Sequence, residues 1–273
     1  MHYVFEKFLR ASLNGDGTLT LPPASDMERI ADEIIEDYLA QVCSIPPDRM
    51  DRRLLHLFSR LRKLALLMLS DIVAELRVSA FVPHAFEQVI GLPGENGLPP
   101  VELTLQNGSR IRLNGMVDRI DLLERNGKLF VRVVDYKSGE HKFKLEDVRT
   151  GLDIQLVLYL YAVLASKPQE YLPGGAQYLY ATAEKGRIDI RRSGFLLSDD
   201  EIRQAADNSE GSAFTKKLIP QSTEEIRELT EQMKETVSRI ASRILAGEAE
   251  KTPSKEACGF CPIRSHCDRA YHD

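Results

Sequence analysis

The chain has 273 residues, 43% of them hydrophobic, and a formal net charge of −5. This length allows one large hydrophobic core, alone or with a helical appendage, and requires no second independent domain. The acidic balance excludes the globally basic surface of many nucleic-acid-binding proteins, so any contact with phosphate must be local or carried by a metal ion. The longest apolar stretch, around Leu64–Leu69, is too short to span a membrane, and the N-terminus lacks a signal pattern. We therefore expect a cytoplasmic protein without membrane contact.

The first 80 residues have the apolar spacing of helices. Two helices are predicted, Asp26–Cys43 and Arg52–Leu76, and Pro46 and Pro47 separate them. We interpret this region as a scaffold or lid. The arginines of the second helix are a candidate phosphate-facing stripe, although a solvated helix face explains them as well.

The pattern changes from helix to strand at Phe81. Beyond a Gly/Pro-rich loop, two Asn-Gly pairs each separate runs with β-strand character, which is a strong hairpin signal. These features predict three antiparallel strands in a meander: Val101–Gln106, Arg110–Arg125 and Lys128–Lys137.

The second hairpin brings two acidic residues together. A two-residue loop at Asn126-Gly127 makes opposed residue numbers sum to 253, so Asp118 should face Asp135. Like charges at opposed positions destabilise a sheet, and a hard divalent cation removes that repulsion. Strand alternation puts Lys137 on the same face as Asp135. The arrangement predicts a metal site with an adjacent lysine.

An alternative is that these three residues are ordinary side chains on a solvated sheet face, since an Asp-x-Lys tripeptide alone is a weak motif. The apolar run Leu129–Val134, which predicts a buried strand ending at Asp135, favours the site.

A helix predicted over Asp153–Leu164 places Gln155 and Tyr159 on one face. Inside an apolar stretch these groups require polar partners, either a nucleotide or the strand that carries Asp135, unless backbone groups satisfy them. The remaining predicted elements complete a central mixed sheet flanked by helices: strands Gln177–Thr182 and Arg187–Arg192 around a Lys185-Gly186 turn, and helices Asp199–Asp207 and Thr223–Leu245.

Three of the four cysteines lie close together near the C-terminus. Cys258, Cys261 and Cys267 form a C-x2-C-x5-C run, which indicates metal ligation in a reducing compartment rather than disulfides. The candidates are an iron-sulfur cluster and a zinc site completed by His266, His272 or Cys43. A small buried hydrophobic residue is the alternative for Cys43.

Three segments carry a resemblance to a known family. Gly115-Met-Val-Asp-Arg-Ile-Asp121, Val134-Asp-Tyr-Lys-Ser-Gly139 and Gly151-Leu-Asp-Ile-Gln-Leu-Val-Leu-Tyr159 resemble, in this order, motifs of the nuclease domain of the RecB and AddAB helicase-nucleases. These nucleases are a branch of the PD-(D/E)XK superfamily. The tail, Cys258-Gly-Phe-Cys-Pro-Ile-Arg-Ser-His-Cys267, is similar to that of AddAB B subunits. The resemblance implies an α/β restriction-endonuclease-like core with a helical N-terminal part and a Cys-rich tail.

The resemblance also implies roles for individual residues. Asp118 and Asp135 match metal-binding acids, and Lys137 matches the lysine that positions the attacking water and stabilises charge on the phosphate. The other matching site residues are Gln155 and Tyr159 of a Q-and-Y motif, Glu87 at a common glutamate position, His2 as a histidine near the metal, and the Tyr136 carbonyl as a further ligand. For His2, a disordered terminus is the alternative.

The implied cofactors are Mg²⁺, replaceable by Mn²⁺, and a 4Fe-4S cluster held by Cys258, Cys261 and Cys267. In the family a fourth cysteine precedes the histidine motif, and this sequence begins at that motif. We therefore expect a fragment of a longer parent protein, with the cluster in the parent rather than in this chain alone. The expected division is a helical part over 1–80, a nuclease core over 81–250 and a cysteine-rich tail over 251–273.

The function implied is that of an exonuclease domain in a helicase-nuclease complex that processes DNA double-strand breaks for recombinational repair. DNA and an AddA-like helicase-nuclease subunit are the expected partners. Two alternatives remain: a catalytically silent DNA clamp or assembly module, and a stand-alone iron-sulfur exonuclease of the CRISPR-associated type. The intact acidic residues and lysine favour an enzyme over the first, and the missing upstream cysteine disfavours the second.

Overall fold

The computed structural model describes residues 1–41, 51–92, 97–184, 187–248, 250–251 and 255–268. Its helices are α1 (His2–Ser12), α2 (Ala24–Gln41), α3 (Arg52–Leu76), α4 (Leu145–Thr150), α5 (Gln155–Ser166), α6 (Asp200–Ala206), α7 (Thr223–Leu245) and α8 (Lys255–Phe260). Its strands are β1 (Val82–Ile90), β2 (Gly97–Leu98), β3 (Val101–Thr104), β4 (Arg110–Leu113), β5 (Gly115–Arg125), β6 (Lys128–Lys137), β7 (Tyr171–Glu184), β8 (Arg187–Leu197) and β9 (Ile219–Gln221).

The centre of the molecule is a seven-stranded sheet in the order β2-β1-β5-β6-β7-β8-β9. The sheet is mixed, because β1 with β5, β5 with β6 and β7 with β8 run antiparallel, whereas β6 with β7 and β8 with β9 run parallel. This confirms the predicted α/β class with a central mixed sheet flanked by helices.

The predicted register of the β5–β6 hairpin is confirmed. Pairing runs without a shift from Arg125 opposite Lys128 to Arg119 opposite Val134. Asn126 and Gly127 have φ angles of 52° and 71°, the left-handed values that a tight two-residue hairpin turn requires.

The predicted three-strand meander is wrong. The stretch 110–125 breaks at Asn114, and its first part, β4, pairs with β3 in a separate two-stranded sheet. On the side away from β6, β5 pairs with β1, a strand that the sequence pattern did not identify. Pro83 and a bulge between Pro83 and Ala85 interrupt the alternation of β1, so its local signal is weak.

Two hydrophobic clusters lie on opposite faces of the sheet. Alternate residues of β6 show this, because Val131 and Val133 belong to the cluster with α5 and α7, whereas Val134 and Tyr136 belong to the cluster with α1 and α3. The sheet is therefore covered on both faces, and residues at its strand ends meet helices from both layers.

Side-chain caps explain two helix boundaries that the sequence predicted correctly. Asp51 caps α3 by accepting a 2.7 Å hydrogen bond from the Leu54 N–H. Ser222 and Glu225 form a capping box at the start of α7. The proposed contribution of Cys43, the turn at Lys185-Gly186 and the end of the chain at His272 lie outside the described residues.

In the part of the chain that the structure describes, no helix is both long and apolar enough to cross a bilayer. The domain division at residues 80 and 250 stays a prediction.

Candidate active site

Three carboxylates lie on three adjacent strands. Asp118 of β5 is the next residue in register beyond the Arg119–Val134 pair, which places it level with Asp135 of β6. On its other side, the flanking pairs of the β1–β5 ladder place Glu87 level with Asp118. Asp118 and Asp135 are both buried. The strand register therefore gathers acidic groups from β1, β5 and β6 at one point of the sheet.

Asp118 is fixed by a backbone contact across the hairpin. The Tyr136 N–H donates a 2.7 Å hydrogen bond to Asp118 Oδ2. This leaves Asp118 Oδ1 for another partner, and that partner is His2.

His2 lies in the first turn of α1 rather than in a disordered terminus. Its Nδ1 is 3.3 Å from Asp118 Oδ1, and its Nε2 is 3.2 Å from the Tyr136 carbonyl oxygen. The helix is held against the sheet by buried apolar residues, including Phe5 and Phe8. Burial of α1 thus delivers the imidazole to the acidic residues.

Lys137, Gln155 and Tyr159 lie beside Asp135. The Lys137 ammonium forms an ion pair with Asp135 Oδ2 at 2.8 Å and donates a 2.7 Å hydrogen bond to Gln155 Oε1. The Gln155 amide donates to Asp135 Oδ1 at 2.9 Å and to the Tyr159 hydroxyl at 3.0 Å. Of the partners considered for Gln155, the strand that carries Asp135 is the one observed. The Gln155 side chain therefore fixes the position of the Lys137 ammonium relative to the Asp135 carboxylate.

Tyr159 also approaches the backbone of β5 closely. A Cβ atom added at Gly115 would lie 2.8 Å from Tyr159 Cε1 and 3.3 Å from its hydroxyl oxygen. A glycine at the start of β5 is therefore a steric requirement for the position of Tyr159.

Crowding of the acids raises two pKa values. Burial and the Asp118 carboxylate raise the pKa of Asp135 to about 6, although Lys137 acts in the opposite direction. Burial and the Asp118 carboxylate also raise the pKa of Glu87 to about 7. The hydrogen bond to Asp118 raises the pKa of His2. These shifts show that the site disfavours several carboxylate charges at once.

His2, Glu87 and Asp118 can hold a metal ion together. One ligand atom from each lies within 4.8 Å of the others, and they form the candidate metal cluster within the described residues. Asp135 is not part of this cluster and contacts Lys137 and Gln155, so its role as a metal ligand stays a prediction. The Tyr136 carbonyl, another predicted ligand, borders the cluster through its contact with His2.

Behind the site lies a buried charge network that sequence reasoning missed. Glu75 of α3 contacts Arg132 at 3.0 Å and Arg192 at 3.0 Å, and Asp121 contacts Arg119 at 2.9 Å and Arg132 at 2.8 Å. All five side chains are buried. The register of the β5–β6 hairpin predicts part of this network, because the residue numbers of Asp121 and Arg132 also sum to 253. The two residues are paired in the structure.

Arg119 connects this network to the candidate active site. Arg119 donates a 3.1 Å hydrogen bond to the Tyr136 hydroxyl, and the Tyr136 backbone contacts both Asp118 and His2. The buried charges therefore brace the strand segment that carries the site.

The cysteine motif lies at α8 and a following 3-10 turn, Arg264–His266. No disulfide joins Cys258, Cys261 and Cys267 within the described chain, and Cys258 is buried. Their role as cluster ligands stays a prediction.

Comparison with known proteins identifies relatives. The profile of the PD-(D/E)XK nuclease superfamily matches residues 1–268. The B subunit of an ATP-dependent helicase/deoxyribonuclease from Alkaliphilus oremlandii is 27% identical over 90% of this chain and 24% of its own length. The corresponding B subunits from Thermoanaerobacter sp. and Caldanaerobacter subterraneus subsp. tengcongensis are each 31% identical, over 69% and 78% of this chain and 19% and 21% of their own lengths.

The chain thus spans about a quarter or less of the length of these relatives. The superfamily profile nevertheless covers every element that builds the site, from His2 in α1 to Tyr159 in α5. The chain belongs to the PD-(D/E)XK nuclease superfamily.

Proposed function

We propose that this chain is a divalent-metal-dependent deoxyribonuclease that hydrolyses phosphodiester bonds with the cluster built on Asp118, Asp135 and Lys137. The observation that carries the proposal is the meeting of three acids from adjacent strands with an imidazole and a lysine. Phosphodiester hydrolysis needs a nucleophilic water and neutralisation of charge on the phosphate, and this set of groups supports both.

The residues present fit a hard divalent cation. Within the described residues, no hydrogen-bond donor contacts the Glu87 carboxylate, and burial together with the Asp118 carboxylate raises the pKa of Glu87 to about 7. Carboxylate oxygens suit Mg²⁺ and Mn²⁺, and the imidazole of His2 suits Mn²⁺ better than Mg²⁺. We assign Asp118, Glu87 and His2 as ligands, with Asp135 and the Tyr136 carbonyl completing the site. A bound cation would lower the pKa of a coordinated water and neutralise phosphate charge.

The protein side chains hold the other reactants. The Lys137 ammonium, fixed by Asp135 and Gln155, is a preorganised cation for the scissile phosphate and a hydrogen-bond donor to the attacking water. Gln155 keeps both partners in place, and Tyr159 in turn orients the Gln155 amide. Catalysis here depends on positions that are set before the substrate binds.

The relatives' name supports a place in a helicase-nuclease complex. We propose that DNA is the substrate, that the partner is an AddA-like helicase-nuclease subunit, and that the activity is exonucleolytic processing of double-strand breaks for recombinational repair. A 4Fe-4S cluster on the cysteine motif belongs to the same proposal. The assembled carboxylates, lysine and imidazole favour this enzyme over a catalytically silent clamp.

The test is degradation of end-labelled linear single-stranded DNA by the purified chain with Mg²⁺ or Mn²⁺. Asp135→Asn and Lys137→Met should each lower the rate about 100-fold or more, because each removes a group that acts on the reacting atoms. Lys128→Met is the matched control, since Lys128 is exposed at the opposite end of the same strand. Excess EDTA should stop the reaction.

Failure of a folded wild-type chain to cleave with either metal would count against the proposal for this chain. Equal cleavage by the Lys137 and Lys128 variants would remove Lys137 from the mechanism. Comparison of linear with circular single-stranded DNA tests the exonuclease assignment. An exonuclease should degrade only the linear DNA, because it needs a free end.

A further inference from the structure

A histidine outside the predicted site lies next to it. His141 follows β6 in the loop after Lys137, and its Nε2 is 3.2 Å from Asp153 Oδ2. The Tyr178 hydroxyl donates a 2.6 Å hydrogen bond to Asp153 Oδ1. Both oxygens of this buried carboxylate are therefore engaged, one by the imidazole and one by the phenol.

Tyr178 connects this group to the active site. It is the β7 residue paired with Asp135 in the β6–β7 register. The Lys137 ammonium lies 5.2 Å from the centre of the Tyr178 ring, and the His141 ring lies edge-on to the same ring at 4.2 Å. His141 and Lys137 thus flank one aromatic residue beside Asp135.

The imidazole is held on one side and open on the other. Its side chain is 38% exposed, and the contact with Asp153 uses only Nε2. Among the described residues no partner is found for Nδ1. A carboxylate that holds one ring nitrogen fixes the ring, so the other nitrogen has a defined direction toward a ligand.

The charges around His141 are accounted for. Asp153 precedes α5, Tyr178 lies on β7, and the neighbouring Glu140 and Lys142 form an ion pair with each other at 2.6 Å. The charge of Arg191 on β8 interacts electrostatically with both Glu140 and Lys142. The pairs formed by these neighbours leave the Nδ1 side of the ring available for an anionic ligand.

We propose that His141, held by Asp153, binds a DNA phosphate adjacent to the scissile phosphate. The inference rests on the proposed nuclease function, because it takes the phosphate at Asp118, Asp135 and Lys137 as the scissile one. His141 acts as a positioning residue for the strand: its protonated ring donates from Nδ1 to a phosphate oxygen while Nε2 donates to Asp153.

The experiment is binding of a fluorescein-labelled oligothymidylate, followed by fluorescence anisotropy with Ca²⁺ in place of Mg²⁺. His141→Ala should raise the Kd roughly tenfold at pH 6.5. It should also reduce the slope of log Kd against log salt by about 0.7, the value for one contact on single-stranded DNA. His56→Ala is the matched control, because His56 is an exposed histidine on α3.

A conservative rescue distinguishes a phosphate contact from a structural role. His141→Arg should keep tight binding, because the guanidinium group is a cation that can donate hydrogen bonds to the same phosphate. Asp153→Asn should weaken binding in the same direction as His141→Ala.

An unchanged Kd and salt slope in His141→Ala would overturn the inference, as would a wild-type chain that does not bind the oligonucleotide. Loss of binding in His141→Ala that His141→Arg does not restore would also overturn it. Cleavage is measured in parallel with Mg²⁺ or Mn²⁺. The wild-type chain could bind the oligonucleotide without cleaving it. Weaker binding by His141→Ala would then uphold the phosphate contact, and the missing cleavage would count against the nuclease proposal.

Discussion

Glu87 concentrates two unfavourable features in one residue. Its φ angle is 49°, in the left-handed region that residues with a side chain seldom adopt. Its carboxyl group is also crowded by Asp118, which together with burial raises the pKa of Glu87 to about 7. Neither feature stabilises the metal-free fold, so both indicate a residue placed for the site rather than for stability.

Neutralising Glu87 should therefore stabilise the metal-free protein at high pH. The folded-state pKa of about 7 lies above the ordinary value of 4.5, so the folded protein holds this proton more tightly. The contribution of Glu87 to stability then falls as the pH rises from 4.5 to 7. At pH 8 with a chelator, Glu87→Gln should raise the free energy of unfolding by about 1 kcal/mol, a value reduced for partial solvation.

The measurement is urea denaturation at pH 8 and at pH 4.5, where the difference between Glu87→Gln and wild type should vanish. Glu124→Gln, an exposed substitution on β5, is the control and should show no pH-dependent difference. A destabilised Glu87→Gln protein at pH 8 would contradict the crowding argument.

Gly115 gives a second prediction for a single residue. An added Cβ would force the Tyr159 ring to move, and Gln155, which donates to the Tyr159 hydroxyl, would move with it. Gly115→Ala should cost about 1–3 kcal/mol of stability and lower nuclease activity. Thermal denaturation and the cleavage assay check both effects. Gly15→Ala, with open space around its Cβ, should change neither.

Buried ion pairs join α3 to the central sheet. Glu75 near its end contacts arginines of β6 and β8 and lies 3.7 Å from Arg119 of β5, and the pKa of Glu75 is lowered despite complete burial because of these arginines. Within the sheet, Arg119 donates a hydrogen bond to the Tyr136 hydroxyl. Charge contacts therefore link α3 to the strands that carry the candidate active site.

Removing the charge of Glu75 should be costly. Glu75→Gln removes one of the carboxylates that neutralise the buried arginines and leaves Asp121 and Asp71 as their partners. Breaking a buried pair in this way costs about 3–5 kcal/mol. Urea denaturation measures the loss. Glu235→Gln, at an exposed position on α7, should be within about 0.5 kcal/mol of wild type. A similar small effect for Glu75→Gln would mean that the network is dispensable.

In the whole molecule, the site forms where the two layers meet at the sheet. α1 supplies His2 from one face, and α5 supplies Gln155 from the other, while the strands carry the acids. Metal binding should therefore stabilise the entire fold rather than one loop, because the ligands belong to distant elements.

Mn²⁺ should raise the thermal midpoint strongly at pH 8 and weakly at pH 5.5. The protons on Asp135 and Glu87, whose pKa values are raised to about 6 and about 7, compete with the metal at the lower pH. At a free Mn²⁺ concentration of 100 times its dissociation constant, the expected stabilisation of the folded protein is about 2.7 kcal/mol. Differential scanning calorimetry at matched ionic strength measures it. An equal effect at both pH values, or the same effect in Asp118→Asn, would contradict a site built on these acids.

The sequence by itself determined the β5–β6 hairpin, its register and the positions of Asp118, Asp135 and Lys137. It also determined α3, α7 and the helical face that holds Gln155 and Tyr159. These features follow from local rules, because a two-residue turn fixes the pairing and side-chain alternation or helical spacing fixes the face. The family motifs lie in the same segments, so their resemblance was visible without a structure.

Only the tertiary structure decided which elements meet. It placed β1 rather than β4 beside β5, and so brought Glu87 to Asp118. It brought His2 to Tyr136 across 134 residues and Gln177 to Glu75 across 102 residues. It also placed His141 and Asp153 around Tyr178. Such contacts depend on how apolar faces pack across the sheet, and local periodicity gives the face that an element buries but not the partner against which it is buried.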